Sequence, residues 1–357
     1  MKIIEKNTEV FSLKQISICF TEMSSQEQAK LDNLLYRVRS KIIVDNHDVL
    51  AFLTIYELED LIKAWPTSQE KLDLERIFKR HQIIWSGQNF SFDLTLDPIV
   101  YSIVNVTPDS FYDGAKQNLN LDFILQRVEQ DLQEGAQVIE LGGKSSRPGY
   151  ADISPEEEWQ RLAQPLQSIR KAFPEAVIAI DTDEAYVMRR VLDAGADIIN
   201  DIDGFDTSEK LHLMQEYQPA LVAMNNGRAG MNYADNVYQE LPAYFADKQK
   251  ELNQFDIANA QICVDPGVGF SGGATGVDSL QRVKTTELLT SLGLPVMIAI
   301  SRKSFMSNLL NMEVDERLLS TLILENQMMM DGGRVLRVHD VAATHRLIEN
   351  FKIYQKY

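Results

Sequence analysis

From residue 101 onward, short apolar runs alternate with longer stretches of helical periodicity. The runs are YSIVN (101–105), QVIEL (137–141), VIAID (177–181), DIIND (197–201), ALVAM (220–224), QICVD (261–265), VMIAI (296–300) and RVLRV (334–338). Runs this apolar, separated by amphipathic helices, predict parallel strands buried on both faces. One phrase recurs as EGAQVIE, AGADIIN and DGGRVLR. In each, a helix is expected to end at Gly135, Gly195 or Gly332, where a left-handed backbone is cheap, and a strand to follow. Ser154-Pro155-Glu156-Glu157 marks a helix start: a capping Ser, Pro in the first turn and Glu three residues after the cap. Eight strand–helix units predict an α/β fold, a closed (β/α)8 barrel over residues 84–357. An open doubly wound sheet is the alternative. It would call for a Gly-rich phosphate loop after the first strand, and NVTPDSF is not one.

Residues 1–80 follow another pattern. Residues 15–20 alternate like a strand, and Ser24 or Ser25 is placed to cap a helix reaching about Arg39. Further helical periodicity covers 55–65 and 68–81. The segment carries no chemical motif and is expected to be a small α+β accessory domain. Between it and the barrel, QIIWS and FSFDLTL flank Gly87-Gln88, the pattern of a hairpin able to close the bottom of a barrel.

Composition narrows the function classes. The 357 residues carry a formal charge of −17, and 45% are hydrophobic. A surface so acidic argues against nucleic acid or an anionic membrane as partner, but leaves room for a small anion held by a few convergent cations. Cys19 and Cys263 show neither pairing nor metal spacing, no Cys/His cluster suggests zinc, and no apolar run is long enough for a signal or membrane segment, so a reducing cytoplasm is expected. Met328–Met330 reads as packing, and His212 and His345 as helix-surface residues.

The chemistry is expected at the C-terminal strand ends, where barrels build their sites. In order these are Asn105, Glu140, Asp181, Asn200 with Asp201, Met224 with Asn225, Asp265, Arg302 with Lys303, and Arg337 with His339. Asp181, Asn200 and Asp265 offer the mixture of donors and acceptors that an aminopyrimidinone edge requires. Arg147, Arg302, Lys303, Arg337 and His339 supply cationic donors suited to a diphosphate. A flat polar ring beside an anion suggests group transfer with diphosphate departure.

The segments NVTPDSF (105–111), GGKSSRPG (142–149), IDT (180–182), IIND (198–201), DPGVGF (265–270), SRKSF (301–305) and RVHDV (337–341) resemble those of dihydropteroate synthases in type and order. The resemblance implies joining of a pterin diphosphate to p-aminobenzoate. Asp181, Asn200, Asp265 and Lys303 would hold the pterin, with Arg337 stacked on it. Asn105, Arg147, Arg337 and His339 would bind the diphosphate, Asn105 also helping to hold Mg2+. Ser146, Phe270, Lys303 and Ser304 would border the aminobenzoate. Asp181, Lys303, Arg337 and His339 are the catalytic candidates. The loops at 109–114 and 144–149 would close over the site, and the last barrel helices would form a homodimer.

The chain departs from the family pattern in several places. Glu140 stands where Asp is usual, Lys144 where Glu is usual, and Ser146 where Thr is usual. Asn225-Asn226 replaces His-Met, and Ser271-Gly272 replaces Gly-Lys. Lys144 is read as a solvated loop residue. Two other readings stand beside the synthase: a methyltetrahydrofolate:corrinoid methyltransferase, which would not need the diphosphate cluster, and a non-catalytic pterin-binding homologue acting as sensor or partner subunit.

Overall fold

The protein is seen in a computed structural model that describes residues 1–6, 15–38, 40–45, 48–107, 120–144, 153–227, 236–270 and 276–356. It divides into two compact units, Met1–Ile83 with Lys352–Tyr357, and Ile84–Phe351.

The first unit is α+β. It runs β1 (Lys2–Lys6), β2 (Ile16–Thr21), α1 (Ser25–Arg37), β3 (Lys41–Asp45), β4 (Asp48–Leu53), α2 (Ile55–Ala64) and α3 (Gln69–Arg80). The strands form an antiparallel sheet in the order β1-β2-β4-β3. Alternate residues Ile16, Ile18 and Phe20 of β2 enter a core with Val49, Ala51 and Leu53 of β4 and the buried faces of the three helices. The caps are those the sequence offers. Ser24 and Thr54 each close a capping box with the Glu three residues on, and Ser68 caps α3. Strands β1, β3 and β4 lay outside the sequence expectation. KIIEK and KIIVD place adjacent apolar residues between charges, so they lack the period-two signal of a half-buried strand.

The second unit is a (β/α)8 barrel. A short hairpin, β5 (Ile84–Ser86) with β6 (Ser91–Asp93), precedes the barrel strands: β7 (Ile99–Asn105), β8 (Ala136–Gly142), β9 (Val177–Asp181), β10 (Ile198–Asp201), β11 (Ala220–Met224), β12 (Ile262–Asp265), β13 (Met297–Ile298) and β14 (Val335–Val338). All neighbouring barrel strands pair in parallel, and the bridge Val264↔Val296 joins β12 to the start of β13. The helices between them are α4 (Leu121–Gln133), α5 (Pro155–Ala172), α6 (Ala185–Asp193), α7 (Ser208–Tyr217), α8 (Val237–Gln254), α9 (Val277–Lys284), α10 (Thr286–Thr290), α11 (Phe305–Leu310) and α12 (Arg317–Met330); α13 (Val341–Lys356) follows β14.

Gly135, Gly195 and Gly332 all take positive φ at the helix-to-strand turns, as the recurring phrase requires. Ser154 caps α5 with Pro155 in the first turn, but the Glu157 carboxylate accepts from Arg161 at 2.6 Å. The run VMIAI leaves the sheet early: after Ile298 the chain turns, with Lys303 N–H donating to the Ile300 carbonyl and Arg302 at φ 56°. Met328 and Met329 are core residues, whereas Met330 is partly exposed.

The hairpin loop is Gly87–Phe90, two residues longer than Gly87-Gln88 alone, and is closed by Gly87 N–H to the Phe90 carbonyl. It sits at the N-terminal end of the barrel. Gln88 donates to the Tyr217 carbonyl at 2.7 Å, Asn89 to the Asp197 carboxylate at 2.9 Å, and Trp85 Nε1 to the Gln261 carbonyl at 3.2 Å. These acceptors lie just before β11, β10 and β12, and the fully buried Trp85 ring stacks on Tyr101. Trp85 is thus the plug of the barrel floor. Trp85→Ala is expected to cost about 3–5 kcal/mol of barrel stability. Denaturant unfolding followed by circular dichroism checks this, and an unchanged midpoint would refute the assignment.

Candidate active site

The strand registers decide which side chains meet. Arg337 of β14 lies beside Tyr101 of β7, which lies beside Val138 of β8; two residues farther along β8 is Glu140. Glu140 lies beside Ala179, and that beside Ile198; two residues on is Asn200. The same step from Asn200 through Val222 and Cys263 reaches Asp265. From there the β12–β13 bridge and the Met297–Val335 pair lead back to Arg337. Glu140, Asn200, Asp265 and Arg337 therefore form one four-membered layer from alternate strands. In a (β/α)8 interior such layers are usually branched and apolar. The next two layers down obey that rule apart from Tyr101: Tyr101, Ala179, Val222 and Met297, then Val138, Ile198, Cys263 and Val335, all buried. The polar layer is the floor of the site.

Glu140 is its centre. Its carboxylate, 1% exposed, accepts from the Tyr101 hydroxyl at 2.8 Å and Asn200 Nδ2 at 2.9 Å on Oε2, and from Arg337 Nε at 2.8 Å and Nη2 on Oε1. Arg337 Nη2 also reaches Asp181 at 2.7 Å. Asn200 Oδ1 is buried without a hydrogen-bond partner among the described residues. Burial raises the Asp181 carboxyl to about 7; Arg337 opposes that rise and Glu140 reinforces it. Burial also raises Asp265, against the pull of Lys303, while its Oδ1 accepts from Gly267 N–H at 2.7 Å.

Lys303 completes one wall. Its ammonium donates to the Val268 carbonyl at 2.5 Å and sits 5.1 Å from the centre of the Phe270 ring. Burial brings its pKa down to about 8, although Asp265 holds the proton on. His339 Nδ1 lies 3.2 Å from the Ser301 hydroxyl; burial, then Arg337, lowers its pKa to about 3, so the ring is neutral. Asn105 ends β7, its Oδ1 close over Gly142, where a Cβ would approach it to 3.2 Å. Ser304 is exposed at the start of α11. Ser146, Arg147 and the loop expectation at 109–114 lie outside the described residues, as does most of 144–149.

Four expectations change. His339 is not a cationic donor, since burial keeps its ring neutral. Arg302 is not directed at the site: its guanidinium binds the Asp340 carboxylate through Nε and Nη2, both at 2.8 Å. Asp201 is structural, fully buried against Lys210 at 3.0 Å and capping the backbone of Asp203 and Phe205. Lys144 is not a solvated loop residue. It is 18% exposed and binds Asp183 at 3.1 Å and Glu184 at 3.3 Å. Asn225, in the place of the usual imidazole, is braced by the buried Arg282, which donates to its carbonyl at 2.8 Å and its side-chain oxygen at 3.1 Å. Sequence reasoning passed over Tyr101, Arg282, Ser301 and Asp340. A Tyr in the first strand and Asp340 in RVHDV were visible, but their partners lie far away in the chain.

Mg2+ takes oxygen ligands and commonly keeps several waters and substrate oxygens. Among the described residues, no group of three or more His, Cys, Asp or Glu side chains is arranged to hold a metal. The Asn105 amide oxygen at the strand end fits a single protein ligand of the kind Mg2+ accepts. No helix among the described residues is long and apolar enough to cross a membrane.

Residues 101–339 match the Pterin binding enzyme family. The chain is 35% identical over 263 residues to dihydropteroate synthase of Escherichia coli strain K12, covering 72% of this chain and 92% of that one. Its fold is similar to that of the Yersinia pestis dihydropteroate synthase in complex with a sulfonamide drug (TM-score 0.70, 28% identity, 76% of this chain and 99% of that one). It is also similar to the Xanthomonas albilineans enzyme with 4-aminobenzoic acid (TM-score 0.70, 27% identity, 77% and 99%). With its polar barrel floor and these relatives together, the chain belongs to the dihydropteroate synthase family of pterin-binding enzymes.

Proposed function

We propose that the barrel condenses 6-hydroxymethyl-7,8-dihydropterin diphosphate with p-aminobenzoate, releasing diphosphate and 7,8-dihydropteroate for folate synthesis. The observation that carries this is the polar layer, with the cationic Lys303 and Arg337 beside its carboxylates. Asp181, Asp265 and the unmet Asn200 Oδ1 are acceptors for the pterin N–H groups. Lys303 contributes a donor, and Arg337 a planar cation against the ring. Diphosphate departs as the methylene C–O bond breaks; the arylamine nitrogen forms the new C–N bond and gives up a proton. Stabilising the departing anion is the main task, assigned to Arg337, His339, Asn105 and Arg147. Mg2+ on Asn105 would supply further charge neutralisation there. Phe270, Lys303, Ser146 and Ser304 border the aminobenzoate.

The diphosphate-directed residues favour this reaction over a corrinoid methyl transfer, and the complete polar layer favours it over a sensor without catalysis. Residues 84–357 would be catalytic and 1–80 accessory. A homodimer fits the exposed Leu319 and Ile323 on α12 and Leu310 beside it.

Diphosphate release that depends on p-aminobenzoate, with dihydropteroate as co-product, tests the reaction; pterin binding without turnover would instead favour the non-catalytic homologue. Arg337→Ala is expected to lower turnover by at least about two orders of magnitude, and a near-normal rate would remove Arg337 from the site. Asp181 ionises as pH rises through about 7, and Lys303 loses its charge above about 8. kcat/KM should therefore climb through the first value and fall beyond the second. A flat profile through pH 9, or a falling limb that persists in Lys303→Met, would contradict these roles. A folded truncation lacking residues 1–80 is expected to retain turnover; complete loss would give that segment a catalytic part.

A further inference from the structure

We propose that Glu140 is the positioning residue of the ring pocket: it selects which end of the Asn200 amide and which edge of the Arg337 guanidinium the site presents. The inference rests on the pterin reading above and deepens it. Glu140 is 1% exposed, and both its carboxylate oxygens are taken up by Tyr101, Asn200 and Arg337.

An ionised carboxylate only accepts, so each group that faces it must donate. Tyr101 and Asn200 donate to Oε2, and the Nε–Nη2 edge of Arg337 to Oε1. The two ends of an Asn amide are nearly identical in shape, so packing alone does not orient it. Turned over, Asn200 would set its carbonyl oxygen against the carboxylate. Glu140 therefore holds Nδ2 inward, and Oδ1 is left as a buried acceptor without a partner among the described residues. That is the polarity a ring amino or ring N–H group requires. On Arg337 the same carboxylate, with Asp181, takes up Nε and Nη2. Among the described residues these bonds leave the opposite nitrogen, Nη1, for a ligand.

Burial helps to enforce the choice. Glu140 is 1% exposed in the barrel layer, so rearrangement would strand a donor or an acceptor in the interior. One carboxylate on the second barrel strand thus sets the donor and acceptor pattern read from the fourth and eighth.

The test is the affinity of purified full-length protein for 6-hydroxymethyl-7,8-dihydropterin diphosphate by calorimetry, with the KM of p-aminobenzoate and the thermal midpoint measured alongside. Glu140→Gln can donate as well as accept and no longer selects the amide. Pterin affinity is expected to fall by about tenfold or more, with the p-aminobenzoate KM unchanged and Glu140→Asp restoring most of the loss. In the background of Asn200→Ala, Glu140→Gln should cost less than it does alone, because part of its effect passes through that amide. Wild-type pterin affinity in a folded E140Q overturns the proposal, as do fully additive losses or equal losses for both substrates. If E140Q does not fold, Tyr101→Phe serves: it removes one donor from Oε2, and an unchanged pterin affinity there counts against the proposal. Wild-type protein that binds the pterin without turnover would defeat the condensation reading and leave the Glu140 comparison intact.

Discussion

A closed barrel of eight parallel strands steps by one residue from each strand to the next, and the site depends on that stagger. The step brings residue 337 at the chain's far end against residue 140, and 140 against 200, with 265 in the same layer. A one-residue slip in any strand would turn its polar side chain outward and bring a neighbour in its place. The two layers beneath, packed with Val, Ile, Ala and Met around Tyr101 and Cys263, hold the register because slippage would expose apolar surface or bury charge.

A polar layer inside a barrel is costly unless its groups satisfy one another. Here the cost is offset by a connected network: one carboxylate takes donors from Tyr101, Asn200 and Arg337, and Arg337 continues to Asp181. Among the described residues, the side-chain Oδ1 of Asn200 is left without a partner. Burial keeps His339 neutral and brings the Lys303 ammonium near its titration point, so the site combines a fixed cation, Arg337, with one whose charge is easily shifted.

Two departures from the family pattern have local partners. Lys144 reverses the usual charge and meets Asp183 and Glu184 at the start of α6. Asn225 is fixed by Arg282, whose guanidinium also joins the Pro266 carbonyl and so ties the ends of β11 and β12 together. Such substitutions change how the rim is braced, while the polar floor keeps a carboxylate at its centre, Glu140 in place of the usual Asp.

The barrel was legible in the sequence because each strand–helix unit is a local statement: an apolar run, a capping residue, a left-handed Gly. The strand-end polar residues were legible for the same reason, and Asn200, Asp181, Asp265, Lys303 and Arg337 do converge. Three strands of the first unit were not; two of them, KIIEK and KIIVD, take their pairing from neighbours rather than from alternation. Nor could the sequence separate Arg337, which faces the site, from Arg302, which binds Asp340, or show that Lys144 is paired. The sequence by itself determined element type, order and the supply of ionisable groups, because periodicity and capping act over a few residues. Only the tertiary structure decided which of those groups meet, because barrel closure brings together side chains as far apart in the chain as Glu140 and Arg337.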